Sequence, residues 1–321
     1  MAACSQQDKP MISFYYWKTV FKLSAMEQEV LEQNQVKKLY VRYFDIDWNS
    51  NTKQAFPESA VRFEGKLSGF EIVPVVYIQN KVFKDKEVDV LDLAQKTYDF
   101  IGQINTKNQI TCKEIQIDCD WTLSTKENYL KFVEHFKKLS GKKLSATIRL
   151  HQVKYFQKTK IPNVDKGVLM FYNMGKIASD SLNSIYDRNI AQRYLSSLKN
   201  YPLRLNIALP IYSWGIHIRD DKVIGLKNKL NSFDFKKDCN YFFAGGNKLL
   251  VKNSNYKHGT FYKRNDCLKL ESISSNDLLE MANDLNDNLA ATPQEIIFYD
   301  LDEFNTKHYE KSIFEQVIAR F

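Results

Sequence analysis

Short apolar or aromatic runs alternate with helical periodicity along most of the chain. The runs at 11–17 (MISFYYW), 38–47, 72–79, 114–121, 144–151, 167–173, 203–212 and 295–301 are predicted strands, eight in all. Between several of them the apolar positions recur at helical spacing. Leu91, Ala94, Tyr98 and Ile101 line one face of a helix over 86–104, and Tyr129, Phe132, Val133, Phe136 and Leu139 one face of the next. Ser24 with Glu27, and Ser124 with Glu127, have the spacing of capping boxes that open two of these helices. Further helices are predicted at 186–199 and near 305–319. Strands alternating with helices imply a parallel sheet, and eight of them point to a closed α/β barrel, the (β/α)8 or TIM barrel. No Gly-rich phosphate loop follows the first strand, which argues against an open dinucleotide-binding sheet.

One segment interrupts the rhythm. Residues 215–294 separate the seventh and eighth strands and contain hairpin-like runs at 248–252 and 260–264, Gly245-Gly246, and a helix near 275–289. The expectation is an α+β insertion over the barrel mouth, with the barrel formed by 11–214 and 295–321.

Composition narrows the classes. Of 321 residues, 44% are hydrophobic and 26% charged, which excludes disorder, collagen-like structure and a small disulfide scaffold. No apolar run reaches the length of a membrane-spanning helix. The net charge is +8, but Lys and Arg are scattered, with Lys236-Lys237 the densest cluster. A solvated Lys-rich surface is the plain reading and no nucleic acid is implied; an acidic polymer or a membrane surface is the alternative. The first residues, Met1-Ala2-Ala3-Cys4-Ser5, place small residues before a cysteine. They resemble the end of a bacterial lipoprotein signal, so Cys4 is expected to carry lipid and residues 1–10 to tether an exported, monomeric protein to a membrane. Cys112, Cys119, Cys239 and Cys267 fit no zinc motif, and no metal or cofactor is implied. In an exported protein, Cys239 and Cys267 form the expected disulfide, with Cys112 and Cys119 as buried thiols.

Polar residues collect at the predicted C-terminal strand ends, where barrel sites form. In Glu114-Ile115-Gln116-Ile117-Asp118-Cys119-Asp120-Trp121-Thr122 the period of two puts Gln116, Asp118, Asp120 and Thr122 inward, and Ile115, Ile117, Cys119 and Trp121 toward the helices. Two inward carboxylates raise each other's pKa and are costly unless used or paired. The fifth strand turns Ser145, Thr147, Arg149 and His151 the same way, so that Arg149 neutralises the Asp pair and His151 donates to a substrate. Asp45 with Asp47, and Asp300 with Asp302, are further same-face pairs. Tyr172, Asn173, Tyr212 and Trp214 add aromatic faces and an amide, a combination suited to sugar rings.

Three segments carry a family resemblance. Ile117-Asp118-Cys119-Asp120-Trp121-Thr122 resembles the fourth-strand Asp-x-Asp-x-Glu signature of glycoside hydrolase family 18, the chitinases and endo-β-N-acetylglucosaminidases. Met170-Phe171-Tyr172-Asn173 is similar to that family's sixth-strand motif, and Leu209-Pro210-Ile211-Tyr212 to its seventh. The resemblance implies a glycan partner, with N-acetylglucosamine as one constituent. It implies catalytic-type roles for Asp120, orienting the substrate acetamido group, Asp118, supporting it, and Tyr172, holding the carbonyl side. The departure is Thr122, which stands where the family has its acid Glu. A threonine hydroxyl does not protonate a leaving group near neutral pH, and general acid help is typically worth about 10²–10⁴-fold. Two classes therefore remain. One is a glycosidase whose acid comes from Asp45, Asp47, Asp300, Asp302 or His151; the other is a lectin-like relative that binds glycan without cleaving it.

Overall fold

The computed structural model describes residues 9–321 apart from Lys66, Ser68 and Lys86. Eight parallel strands close on themselves. They are β1 (Met11–Tyr16), β2 (Lys38–Asn49), β3 (Glu71–Ile78), β4 (Glu114–Asp118), β5 (Lys143–Arg149), β6 (Lys166–Met170), β7 (Leu205–Pro210) and β8 (Glu295–Tyr299). Each pairs with its neighbours in chain order, and β1 closes the ring by pairing with β8 (Phe14 opposite Phe298) and with β2 (Phe14 opposite Leu39). Parallel strands covered by helices are buried on both faces, which is why they read as unbroken apolar runs.

The helix ring contains Ala25–Gln33, Val90–Asn108, Lys126–Ser140, Leu150–Lys154, Arg188–Leu195, Ser275–Asn288 and Ile313–Ile318. Among the described residues no helix lies between β2 and β3; the strand Gln54–Glu58 instead folds back antiparallel on the end of β2. The Ser24–Glu27 capping box is formed, with Ser24 Oγ accepting from the Glu27 amide and Glu27 accepting from the Ser24 amide. The Ser124–Glu127 box is not. Thr125 stands at that N-cap, and its hydroxyl accepts from the Thr122 amide while donating to Asn80 Oδ1, so a tight turn replaces the box. The segment near 305–319 splits into Glu303–Thr306 and Ile313–Ile318.

The barrel interior carries polar side chains, most of them paired with one another as burial demands. At its N-terminal end Lys38 lies 2.7 Å from Glu295, and Lys166 lies 2.8 Å from Glu114 and 3.2 Å from Glu295. One layer up, Tyr15 donates to Gln116 (2.7 Å) and Ser145 to Glu114 (2.7 Å). Outside the barrel, Trp121 stacks on Tyr129 of the following helix with centroids 4.5 Å apart. The alternation expected for this segment therefore holds along the strand and at Trp121, but not at Thr122, which is exposed beyond the strand's end.

After β7 the chain builds an antiparallel five-stranded sheet from Trp214–Arg219, Lys222–Asn228, Tyr241–Gly245, Lys248–Val251 and Cys267–Glu271. The two hairpin-like runs belong to different structures. Lys248–Val251 pairs with Tyr241–Gly245 and Cys267–Glu271, whereas Thr260–Tyr262 pairs with Asn255–Lys257 in a separate hairpin. The module has its own small core of Leu230, Phe235, Tyr241, Leu249, Val251, Tyr262, Leu268 and Leu270. Ser275–Asn288 instead buries Leu278, Met281 and Leu285 in the barrel's core. The expected Cys239–Cys267 disulfide is absent: both are free thiols, Cys239 exposed in a loop and Cys267 at the start of a central strand of the sheet. Cys112 and Cys119 are buried thiols.

Candidate functional site

A cleft of about 430 Å³ opens at the C-terminal ends of the barrel strands. It joins Asp118 of β4, Arg149 of β5, Tyr172 and Asn173 after β6, Tyr212 and Trp214 after β7, and Asp300 after β8. These are residues that alternation and strand-end position single out. Trp17, Lys18, Met170, Ser213, Asn228, Lys229, Tyr299 and Asn305 complete the lining.

Its floor is aromatic. Tyr299 stacks on Tyr172 with centroids 5.5 Å apart and planes 24° from parallel. Trp17 (5.4 Å) and Tyr212 (5.7 Å) meet the Tyr299 ring edge-on, and Trp214 packs against Tyr212 at 5.3 Å. Burial holds the phenols of Tyr172, Tyr212 and Tyr299 well above the ordinary value, so they remain neutral hydroxyls. The Tyr212 hydroxyl donates to Asn173 Oδ1 at 2.5 Å. Trp214 is aimed by the inserted sheet: its indole N–H donates to Glu271 (2.7 Å), which also lies 2.8 Å from the fully buried Lys269.

The carboxylates have separate fates. Asp118 is buried and accepts from Thr147 Oγ1 at 2.6 Å. Burial first, and then the charge of Asp120, push its pKa up to about 6, against the pull of Arg149. Asp120 stands at the rim and is held in a fork by Arg149, Nε to Oδ1 at 2.5 Å and Nη2 to Oδ2 at 3.0 Å. Asp300 accepts from Asn305 Nδ2 at 2.6 Å, and its pKa also rises to about 6, from burial and then from Asp302, against Lys229. Asp118 and Asp300 are thus two carboxyl groups whose ionised forms are disfavoured, so that each loses its proton only near pH 6.

Other predicted residues lie outside the cleft. Asp45 is buried but bound bidentately by Arg42, after a bulge between Arg42 and Phe44 shifts the register of β2. Asp47 pairs with Lys81 at 2.6 Å. Asp302 caps the helix Glu303–Thr306 through the Phe304 amide (2.9 Å) and lies 2.8 Å from Lys229. Burial alone would raise the Asp302 pKa, but Lys229 and that amide hold it below the ordinary value. His151 is exposed on Leu150–Lys154, because the chain turns helical immediately after Arg149 and the strand alternation ends there. Thr122 is exposed on the turn before Lys126–Ser140, its hydroxyl 3.0 Å from that of Ser124. Cys4 lies outside the described residues.

Sequence reasoning passed over Tyr299, although it precedes Asp300 within the run 295–301, and Trp17, the last residue of the first run. It also passed over Tyr77, which lies opposite Asp118 in the β3–β4 register and whose pKa is pushed up to about 12 by burial and then by Asp118 and Asp120.

Solved structures place this architecture. The spore cortex-lytic enzyme SleL of Bacillus cereus superposes with a TM-score of 0.58 at 12% identity, covering 98% of this chain and 75% of that one. A chitinase from Chromobacterium violaceum gives 0.55 at 11%, covering 97% and 99%. The fold is that of the family 18 chitinases. A GH18 chitinase from Cycas revoluta, solved with (GlcNAc)4, matches at 0.53 and 11%, covering 96% and 98%. No protein-family model matches the sequence, and neither does any curated protein.

Proposed function

We propose that this protein binds a neutral glycan containing N-acetylglucosamine in the cleft, and that it does not cleave it by the family's route. The observation that carries the reading is the aromatic floor of Tyr299, Tyr172 and Tyr212, flanked by Trp17 and Trp214. Flat ring faces shed water cheaply against the axial C–H surface of a sugar. The carboxyls of Asp118 and Asp300 and the Asn173 amide supply hydroxyl and acetamido partners. The likeness to a chitinase complexed with (GlcNAc)4 supports a ligand of this class.

Two features argue against substrate-assisted hydrolysis. Thr122 offers no acid and is exposed outside the cleft. Asp120 is held at the rim by the Arg149 fork and is not among the residues that line the cleft. One observation favours the glycosidase reading. Asp300 lines the cleft and keeps its proton up to about pH 6, as a displaced general acid would. In that case sugar release falls as pH rises through about 6.

Trp17 and Trp214 report occupancy directly. Titration of a glycan panel against tryptophan fluorescence should give a saturable change with N-acetylglucosamine oligomers that is blunted in Trp214→Phe. An unresponsive spectrum across the panel would remove the carbohydrate assignment. Export and anchoring through a lipid on Cys4 belong to the same proposal, and intact-mass measurement of the natively expressed protein tests them by the presence of an acyl adduct.

A further inference from the structure

The inserted module carries a surface that the cleft does not use. Residues 214–271 hold 12 Lys and Arg against 6 Asp and Glu, so most of the chain's +8 resides there. Exposed apolar side chains gather on the same segment. They include Tyr256 (80% exposed), Phe242 (52%), Phe261 (44%) and Phe243 (41%).

The hairpin Asn255–Lys257/Thr260–Tyr262 shows the anomaly most clearly. One of its faces is packed, with Tyr262 fully buried against His217 and Tyr241. A sheet with one covered face ordinarily presents polar residues on the other. Here the outer face is aromatic: Tyr256 stands opposite Phe261 in register, their rings 5.0 Å apart. Tyr241, whose hydroxyl donates to Asn255, begins the neighbouring edge strand that bears Phe242 and Phe243. Lys252 lies 5.6 Å from the Phe242 ring centroid. Among the described residues Lys252, Lys263 and Arg264 have no acidic partner within ion-pairing distance.

We infer that this face, led by the 255–262 hairpin, docks on an anionic lipid bilayer. Aromatic rings settle at the headgroup level while flanking Lys and Arg reach anionic phosphates. An acidic polymer in water would engage the cations but gives Phe242 and Phe261 no apolar phase to enter; Phe243 lies on the other side of its strand, opposite the buried Leu249. A second copy of the chain would set two positive patches against each other. The contact is independent of any lipid on Cys4.

Co-sedimentation tests it, using the full chain with Cys4→Ser so that acylation plays no part. Vesicles of phosphatidylcholine alone are compared with vesicles containing one part phosphatidylglycerol to three parts phosphatidylcholine. The protein sediments with the second and not the first. Tyr256→Ser/Phe261→Ser weakens partitioning about tenfold. Lys263→Gln/Arg264→Gln weakens it about fivefold per charge, since each cation near an anionic surface contributes about 1 kcal/mol. Phe242→Ser, on the sheet rather than the hairpin, gives a second reading that does not depend on the hairpin folding, and unchanged melting temperatures mark the variants as folded. Absence of sedimentation, equal binding to neutral vesicles, or undiminished binding by the folded aromatic variants would each overturn the inference, the last in favour of a soluble polyanion.

Discussion

Asp118→Asn should make the protein more stable, and only above acidic pH. In the fold the Asp118 carboxyl titrates at about 6 rather than at its ordinary 3.8, because burial and the charge of Asp120 disfavour its ionised form. A shift of about two units is worth about 3 kcal/mol. Between the two pKa values the native state binds more protons than the unfolded chain, so stability falls as pH rises through this window and the penalty is complete above about 6. Asparagine keeps the acceptor for Thr147 Oγ1 and never ionises. It should therefore be neutral near pH 4 and stabilising by about 3 kcal/mol at pH 8. At about 2.1 cal/mol/K of unfolding entropy per residue, that corresponds to about 4 °C in melting temperature. Urea unfolding of both proteins at pH 4, 6 and 8 measures it. A destabilised variant at pH 8, or a gain that does not vanish at pH 4, would refute the reasoning that Asp118 is an unneutralised buried carboxyl.

Asp120→Ala should cost about 2 kcal/mol, because it strips the fork from a largely buried Arg149 while Asp120 itself is 43% exposed; Asp120→Ala/Arg149→Met should recover most of that loss in the same unfolding measurement. Thr122→Glu alone should release no sugar from β-linked N-acetylglucosamine oligomers, since residue 122 is exposed on a turn outside the cleft; turnover by this single variant would show that the turn brings it to the bound sugar. Trp214→Phe should weaken glycan affinity about tenfold and also lower the melting temperature, because buried Glu271 loses the indole N–H, and an unchanged affinity in calorimetry would move the ligand away from the inserted sheet. Glu295→Gln should destabilise the barrel, because Lys38 and Lys166 lose a shared partner, while leaving glycan affinity unaltered.

The barrel was legible because buried parallel strands leave continuous apolar runs, and all eight runs became strands. The cleft was legible wherever period-two alternation holds to the end of a strand, as at Asp118 and Arg149. It failed where the backbone leaves the strand. Leu150 begins a helix and carries His151 outward, β4 ends at Asp118 so that Thr122 falls on a turn, and Asp302 caps the helix after β8. A bulge at Arg42/Phe44 breaks the pattern for Asp45 and Asp47, and local composition does not announce where a bulge falls. Tyr299 and Trp17 were hidden by their context, since an aromatic residue closing an apolar run reads as core. The partners of the loop residues, such as Lys229 with Asp302 across 73 positions, follow only from tertiary geometry.

The central claim is that the cleft holds a glycan without cleaving it. Calorimetric titration of the full chain with N-acetylglucosamine oligomers and peptidoglycan fragments, followed by quantification of reducing sugar in the same samples, addresses both halves at once. The account predicts saturable binding, weakened in Trp214→Phe, with no sugar released after prolonged incubation. Release that disappears in Asp300→Asn would contradict it and make the protein a glycosidase with a displaced acid.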